Sequence, residues 1–297
     1  MSGVVTVREL AGEDLPAAGD LCERLRAKDP AVEPFAQRLP IIAGGPRALL
    51  ELWRVAEDEK GALQGIAFAA VRESRTPEGA ERPTADLYAA VAPELRRQGL
   101  GRALCGPALS WAASQGATLR SRVRDGARPG QAFLRALGFR ETSAQLALGW
   151  SARPVDAPEM PALRIRRLAP GEAMRELERL AREAWAGAPD TFATRSDEVA
   201  QLFGEEGRLV LLAEVERRAV AYLSAVRLGR TLGIEEVAVL PEFRRMGIGR
   251  ALVAAALEGT AHAVLSVAES NGPARALYRS LGFSLSARRL VHELRSG

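Results

Sequence analysis

The chain has 297 residues, 47% hydrophobic and 26% charged, enough for one large domain or two ordinary ones. Its two cysteines (Cys22, Cys105) and two histidines (His262, His292) stand far apart, so a metal site or a serine–histidine engine has almost nothing to work with. A pI near 9.5 accompanies a net charge of only +4, the basic residues are arginines beside acids apart from Lys28 and Lys60, and aromatics are 5%, which indicates no nucleic-acid partner.

No apolar run approaches the ~20 residues of a membrane helix. Met1–Val5 leads directly into alternating structure without a basic-then-apolar leader, so the expected location is the cytoplasm, away from membranes.

Val5-Thr-Val-Arg-Glu-Leu10 opens the chain as a strand. Further on comes Val91-Ala-Pro-Glu-Leu-Arg-Arg-Gln-Gly-Leu-Gly-Arg-Ala-Leu104, then Arg135-Ala-Leu-Gly-Phe139. All three recur in order: Leu163–Leu168 resembles the opening, Val239–Leu252 matches the glycine segment 148 residues on, and Arg279–Phe283 matches the third, 144 residues on. The chain is a duplication with small insertions. Between the copies, residues 151–162 carry three prolines and suit an extended connector. The expected domains are 1–150 and 163–297.

The second copy predicts a strand at Leu163–Leu168, an amphipathic helix over Gly171–Ala186 and another helix near 195–204. Leu209–Val215 and Ala219–Val226 read as strands joined by a charged turn at Glu216–Arg218. Ile234–Val239 is a strand stopped by Pro241, and Ile248 begins a helical stripe. Val264–Val267 is a further strand. A last helix has Pro273 in its first turn and Gly282 past its end. The order β-α-α-β-β-β-α-β-α-β implies an α/β fold with a mixed sheet and helices on both faces.

Arg244-Arg-Met-Gly-Ile-Gly249 sits between a strand and a helix. Glycines there allow close backbone approach, and the helix start offers unpaired N–H groups and a positive dipole end, which suits a pyrophosphate. By itself such a loop is either a ligand cradle or merely a tight turn.

Together with Asn271-Gly-Pro-Ala-Arg-Ala-Leu-Tyr278-Arg-Ser-Leu-Gly-Phe283, however, the loop closely resembles the GCN5-related N-acetyltransferase (GNAT) superfamily, whose element order matches each copy throughout. The resemblance implies two tandem GNAT folds, each a mostly antiparallel mixed sheet with a splayed strand pair that binds acyl-CoA. It implies acetyl-CoA as donor, with no metal, and a small-molecule or peptide amine as acceptor, attacking directly in a ternary complex. The pyrophosphate would lie on Arg244, Arg245, Met246, Gly247, Ile248, Gly249 and Arg250. The pantetheine arm would pair with the strand edge at Val237 and Val239, and Asn271 would touch it. Tyr278 would protonate the leaving thiolate; its alternative is a core aromatic. Glu236 is the family's preferred base, on the opposite strand face from its neighbour Glu235, or else a solvated carboxylate. Glu269 is either a site residue or a cap.

The first copy keeps the loop at Arg96, Arg97, Gln98, Gly99, Leu100, Gly101 and Arg102, which leaves acetyl-CoA binding open. Aligned on Leu-Gly-Phe, Leu134 replaces Tyr278 and Ala127 replaces Asn271, and Pro107 should kink the helix after the loop. Catalysis is therefore expected in the second copy. A non-catalytic acyl-CoA sensor is the alternative, and an aminoacyl-tRNA-dependent transferase a third class that generally lacks these loops. Trp185, Phe192 and Phe203 line an acceptor pocket or fill the core; oligomeric state is unmarked.

Overall fold

The computed structural model describes residues 4–29, 39, 43, 50–75, 81–155, 160–185 and 207–295. The first copy runs β1 (Val5–Glu9), α1 (Leu15–Lys28), β2 (Arg54–Asp58), β3 (Leu63–Arg75), β4 (Glu81–Val91), α2 (Leu100–Gln115), β5 (Thr118–Arg124), α3 (Arg128–Ala136) and β6 (Arg140–Ser151). The second repeats it as β7 (Leu163–Arg167), α4 (Met174–Ala184), β8 (Arg208–Val215), β9 (Arg218–Leu228), β10 (Thr231–Val239), α5 (Ile248–Leu257), β11 (His262–Ala268), α6 (Gly272–Ser280) and β12 (Ser284–Arg295). The helix expected near 195–204 lies outside the described residues.

Local chemistry explains these elements. Leu177, Leu180, Ala181 and Ala184 are buried at helical spacing in α4. The β8–β9 hairpin turns on Glu216 and Arg217, both left-handed with φ of 50° and 67°, the two-residue geometry whose twist suits a hairpin. Asn271 caps α6 by accepting from the Ala274 N–H at 3.1 Å, with proline in the first turn. Pro107 is carried inside α2, which runs as one element from Leu100 to Gln115.

The chain forms two compact units, residues 1–143 with 290–297, and residues 144–289. These bounds differ from the 151–162 connector because each copy's last strand ends in the other unit. In the 144–289 unit, β6 lies antiparallel to β11 over seven pairs, Gln145↔Ala268 to Ser151↔His262. Leu146, Leu148 and Trp150 thereby enter its core, and Trp150 Nε1–H donates to Leu281 O at 3.0 Å. In the other unit, Leu294 packs on the core and Glu293 pairs with Arg120 at 2.8 Å.

The 144–289 unit has strand order β6-β11-β10-β9-β8-β7, antiparallel except for β10–β11. One face packs on α5 and α6 through Ile248, Leu252, Val253, Tyr278 and Leu281; the other packs on α4. The first unit's order is β1-β2-β3-β4-β5-β12, with β4–β5 parallel. Among the described residues no helix is long and apolar enough to cross a membrane.

Burial of Leu146, Leu148 and Trp150 contributes roughly 1.5–3 kcal/mol each, comparable together with a domain's whole stability of about 5–15 kcal/mol. Residues 163–297 alone are therefore expected to give no cooperative thermal transition by circular dichroism, whereas residues 144–297 should melt cooperatively. A sharp melt of the shorter fragment would refute this account.

Candidate active site

The glycine loop has the same geometry in both units. Arg245 and Arg97 each adopt φ of 67°, and Gly247 and Gly99 follow at 88° and 84°. This left-handed pair turns the chain so that Gly247 immediately precedes α5, whose first-turn N–H groups have no intrahelical partner. Any Cβ at Gly247 would meet the left-handed penalty. Gly249 faces Leu277 and Val239, 3.5 and 3.7 Å from where a Cβ would stand.

The loop's arginines are not equivalent. Arg244 donates from Nε to Val239 O at 3.1 Å and from Nη2 to Ala184 O at 2.7 Å, which fastens the loop to β10 and α4. Arg250 reaches Ser280 O and Oγ at the end of α6. Arg96 repeats the first role on Val91 O, and Arg102 repeats the second on Ala136 O. Arg245 is exposed beside Met246, which is 54% exposed. Of the three arginines expected to meet a pyrophosphate, two thus serve as struts.

Beyond the loop the sheet opens. The parallel β10–β11 ladder holds for four pairs, Thr231↔His262 to Ile234↔Leu265, although β10 continues to Val239. β6 pairs with the other edge of β11 throughout, so the two strands diverge while β11 stays bonded. Leu240 N–H donates to Val220 O at 3.0 Å. By antiparallel alternation, Val237 and Val239 turn their backbone groups away from β9, toward the opening. The Val239 carbonyl is taken by Arg244, leaving its N–H and both groups of Val237.

The β9–β10 register slips between Ile234 and Glu236, which makes Glu235 a bulge residue. Side-chain parity reverses there: Leu232 and Ile234 share the α5/α6 face with Val237 and Val239, while Ala238 and Leu240 join Tyr222 on the α4 face. The expectation that Glu235 and Glu236 face oppositely is thereby corrected. Glu235 pairs with Arg208, which shares strand parity with the α4-facing Val210 and Leu212. Glu236 Oε2 accepts from the Tyr222 hydroxyl at 2.6 Å, on the same face. Opposite Glu236 stands Ser224, fully buried, its Oγ without a hydrogen-bond partner.

Tyr278 lies on the other face, 8% exposed, edge-on to Phe283 with centroids 5.6 Å apart. Desolvation pushes its hydroxyl up to about 12, so it stays protonated through the neutral range. Glu269 is held by Arg288 through contacts of 2.9 and 2.8 Å, and that guanidinium keeps its carboxyl below the usual range. Trp185 packs against the α4-side core; Phe192 and Phe203 lie outside the described residues. A separate groove of about 510 Å³, lined by Trp150, Val155 and Leu257, opens at the other end of α5 from the loop.

Sequence reasoning passes over Tyr222 and Ser224. The available signal is that they are the two polar residues in the otherwise apolar strand segment Ala219–Val226.

In the first unit the ladder Val91↔Gly65 corresponds to Val239↔Ala221, which puts Ile66, Phe68 and Tyr88 where Tyr222, Ser224 and Glu236 stand. Phe68 lies between Trp53 and Tyr88, with centroids 4.6 and 4.7 Å away, tilted against the indole and stacked on the phenol. Arg122 on β5 bonds Asp86 at 2.8 Å and also Tyr88, bridging back to β4 beyond the last backbone pair, Asp86↔Arg120. Leu134 is buried at the position of Tyr278.

Two copies of the same loop and splayed strand pair define a tandem acetyltransferase fold. The family model for the acetyltransferase (GNAT) family matches residues 30–139 and 172–283, and the chain belongs to that family. It is an acetyl-CoA-dependent acetyltransferase. It is 29% identical over 320 aligned residues to a mycothiol acetyltransferase of Thermobifida fusca (strain YX), with 96% of each chain covered. In fold it resembles a tandem GNAT protein from the clavulanic acid biosynthesis pathway, with TM-score 0.74, 20% identity and 99% of each chain covered. A GNAT protein from Sphaerobacter thermophilus gives 0.72 and 20%, covering 98% of this chain and 96% of the other.

A buried hydroxyl without a partner costs about 1–3 kcal/mol. Ser224→Ala is therefore expected to raise the Tm of its unit by roughly 2–6 °C in calorimetry. An unchanged or lower Tm would mean that the hydroxyl is satisfied. Tyr278 binds its proton more tightly folded than unfolded, so the stability it contributes is complete below its unfolded pKa of about 10 and lost as pH rises toward 12. Chemical denaturation from pH 9 to 12 should show that loss, reduced in Tyr278→Phe.

Proposed function

We propose that residues 144–289 transfer acetyl from acetyl-CoA to a primary amine of a small molecule or peptide, by direct attack in a ternary complex. The observation that carries this is the opening between β10 and β11, bordered by the glycine loop, the free edge at Val237 and Val239, and Tyr278 in the core beside it. Backbone N–H groups of residues 245–250 would bind the pyrophosphate, with Arg245 adding charge. Val237 and Val239 would pair with the pantetheine arm. Asn271 Oδ1 is occupied as the cap of α6, so its amide N–H groups are the ones offered to that arm.

The proton count follows from the reaction. An ammonium acceptor loses one proton to Glu236; the free amine attacks the thioester carbon, the C–N bond forms and the C–S bond breaks. The leaving thiolate takes its proton from Tyr278, and the proton still carried by the attacking nitrogen restores Tyr278 through solvent. One proton is released overall. A tyrosine kept neutral by burial suits the donor role, and its hydroxyl stabilises charge that grows on sulfur in the transition state.

The first unit keeps the loop through Arg96, Arg97, Gln98, Gly99, Leu100, Gly101 and Arg102 but lacks counterparts of Tyr278, Asn271 and Glu236. We assign it no catalysis; its loop is a second candidate acetyl-CoA site. The likeness to a mycothiol acetyltransferase puts the deacetylated form of mycothiol first in an acceptor panel, followed by other amino sugars, polyamines and peptide N-termini.

Native mass spectrometry should find acetyl-CoA bound, with Gly247→Asp abolishing occupancy of the catalytic unit and Gly99→Asp sparing it. Thiol release across the panel should fall at least tenfold in Tyr278→Phe. Full activity in that variant would remove Tyr278 from the chemistry, and binding lost only in Gly99→Asp would exchange the roles of the two units.

A further inference from the structure

Tyr222 is 1% exposed, and its ring sits on β9 between Leu212 of β8 and Ala238 of β10. Its phenol is thereby fixed in direction, and the 2.6 Å contact it makes is with Glu236. A ring needed only as filler could be aliphatic. In the first unit the same ladder position is Ile66, equally buried, and the residue in place of Glu236 there is Tyr88. The donor is absent where the carboxylate is absent. The bulge at Glu235 belongs to the same arrangement: the β3–β4 ladder runs from Gly65↔Val91 to Arg75↔Glu81 without such a slip.

We propose that Tyr222 is the positioning residue of the proton-accepting carboxylate, its hydroxyl holding Glu236 in one rotamer and favouring the ionised form. The role rests on the reading of Glu236 as base. Hydrogen bonding to a carboxylate stabilises its charged state. Of the charged groups on the elements packed here, Glu235 on the same strand pairs with Arg208 on β8, Arg179 of α4 donates to Ala219 O at the start of β9, and Arg244 donates to Ala184 O at the end of α4. From α4 the face receives Leu177, Leu180, Ala181 and Ala184. Ser224, directly across the ladder, leaves its buried hydroxyl unbonded. Tyr222 is the β9 side chain that donates to Glu236.

The chain has three tyrosines, Tyr88, Tyr222 and Tyr278, so a sample labelled with 13Cζ-tyrosine gives three lines, assigned by single phenylalanine substitutions. The Tyr222 line should shift with an inflection in the carboxylate range, and that inflection should vanish in Glu236→Gln. In Tyr222→Phe the ionised carboxylate loses its donor, so the acid limb of the kcat/KM profile for the best amine of the panel should move up by about one pH unit, roughly tenfold in rate on that limb. A Tyr222 line without the inflection, or one that keeps it in Glu236→Gln, overturns the proposal even if Tyr222→Phe folds poorly. An unmoved acid limb in a well-folded Tyr222→Phe does the same. Native-rate transfer by Glu236→Gln would instead sink the reading of Glu236 as base, and the positioning role with it.

Discussion

Everything at the site depends on how the two edges of β11 are bonded. A strand has one row of N–H and C=O groups on each side, and buried rows must be paired. β6 takes one edge of β11 for seven pairs, while β10 takes the other for only four. Because β6 holds β11 along its length, β10 can depart after Ile234 without releasing β11 from the sheet. The groups left open on β10 belong to Val237 and Val239, next to the glycine loop. The holding strand comes from the first copy's sequence, so covalent tandem linkage is part of the site's construction and not only of its history.

Duplication also separates, within one chain, the features that recur from those that do not. The left-handed Arg-x-Gly turn, the strut from Arg96 or Arg244 to a strand carbonyl, and the strut from Arg102 or Arg250 to the next helix all occur twice. These features build a rigid turn whether or not catalysis follows. The units diverge on β9, β10 and α6 and their counterparts, where the positions of Tyr222, Ser224, Glu236 and Tyr278 are taken by Ile66, Phe68, Tyr88 and Leu134. A glycine loop therefore reports the fold, and the residues flanking the opening distinguish the two units.

Much of this is legible in the sequence because it is local. Strand alternation, the helical spacing of α4 and α6, the Pro273 and Gly282 signals and the repeated loop all come from neighbours a few residues apart. The bulge is illegible, because the alternation of Thr231–Val239 does not say where a residue is inserted against the partner strand. That single residue decides which way Glu235 and Glu236 point. Strand exchange was illegible for another reason: β6 and β12 have the same pattern whichever unit they join, and their partners lie far away in the chain. Arg244 reads in the sequence as a ligand contact because it flanks a phosphate-type loop; in the structure its donors reach the carbonyls of Val239 and Ala184.

On the proposed mechanism, the reversal at the bulge also orders the proton transfers. Tyr278 belongs to the α5/α6 face and Glu236 to the α4 face, so a closed sheet would keep them apart. Where β10 leaves β11 the sheet no longer intervenes, and a thioester in the gap is open to both sides. An acid and a base that served the same step from one face would share their field, each biasing the other's titration. From opposite faces, burial can keep Tyr278 protonated while the Tyr222 hydrogen bond favours the charged form of Glu236. On the proposed mechanism the amine then enters from the α4 face and the thiolate is protonated from the other, so bond formation and bond breaking proceed through the opening in one direction.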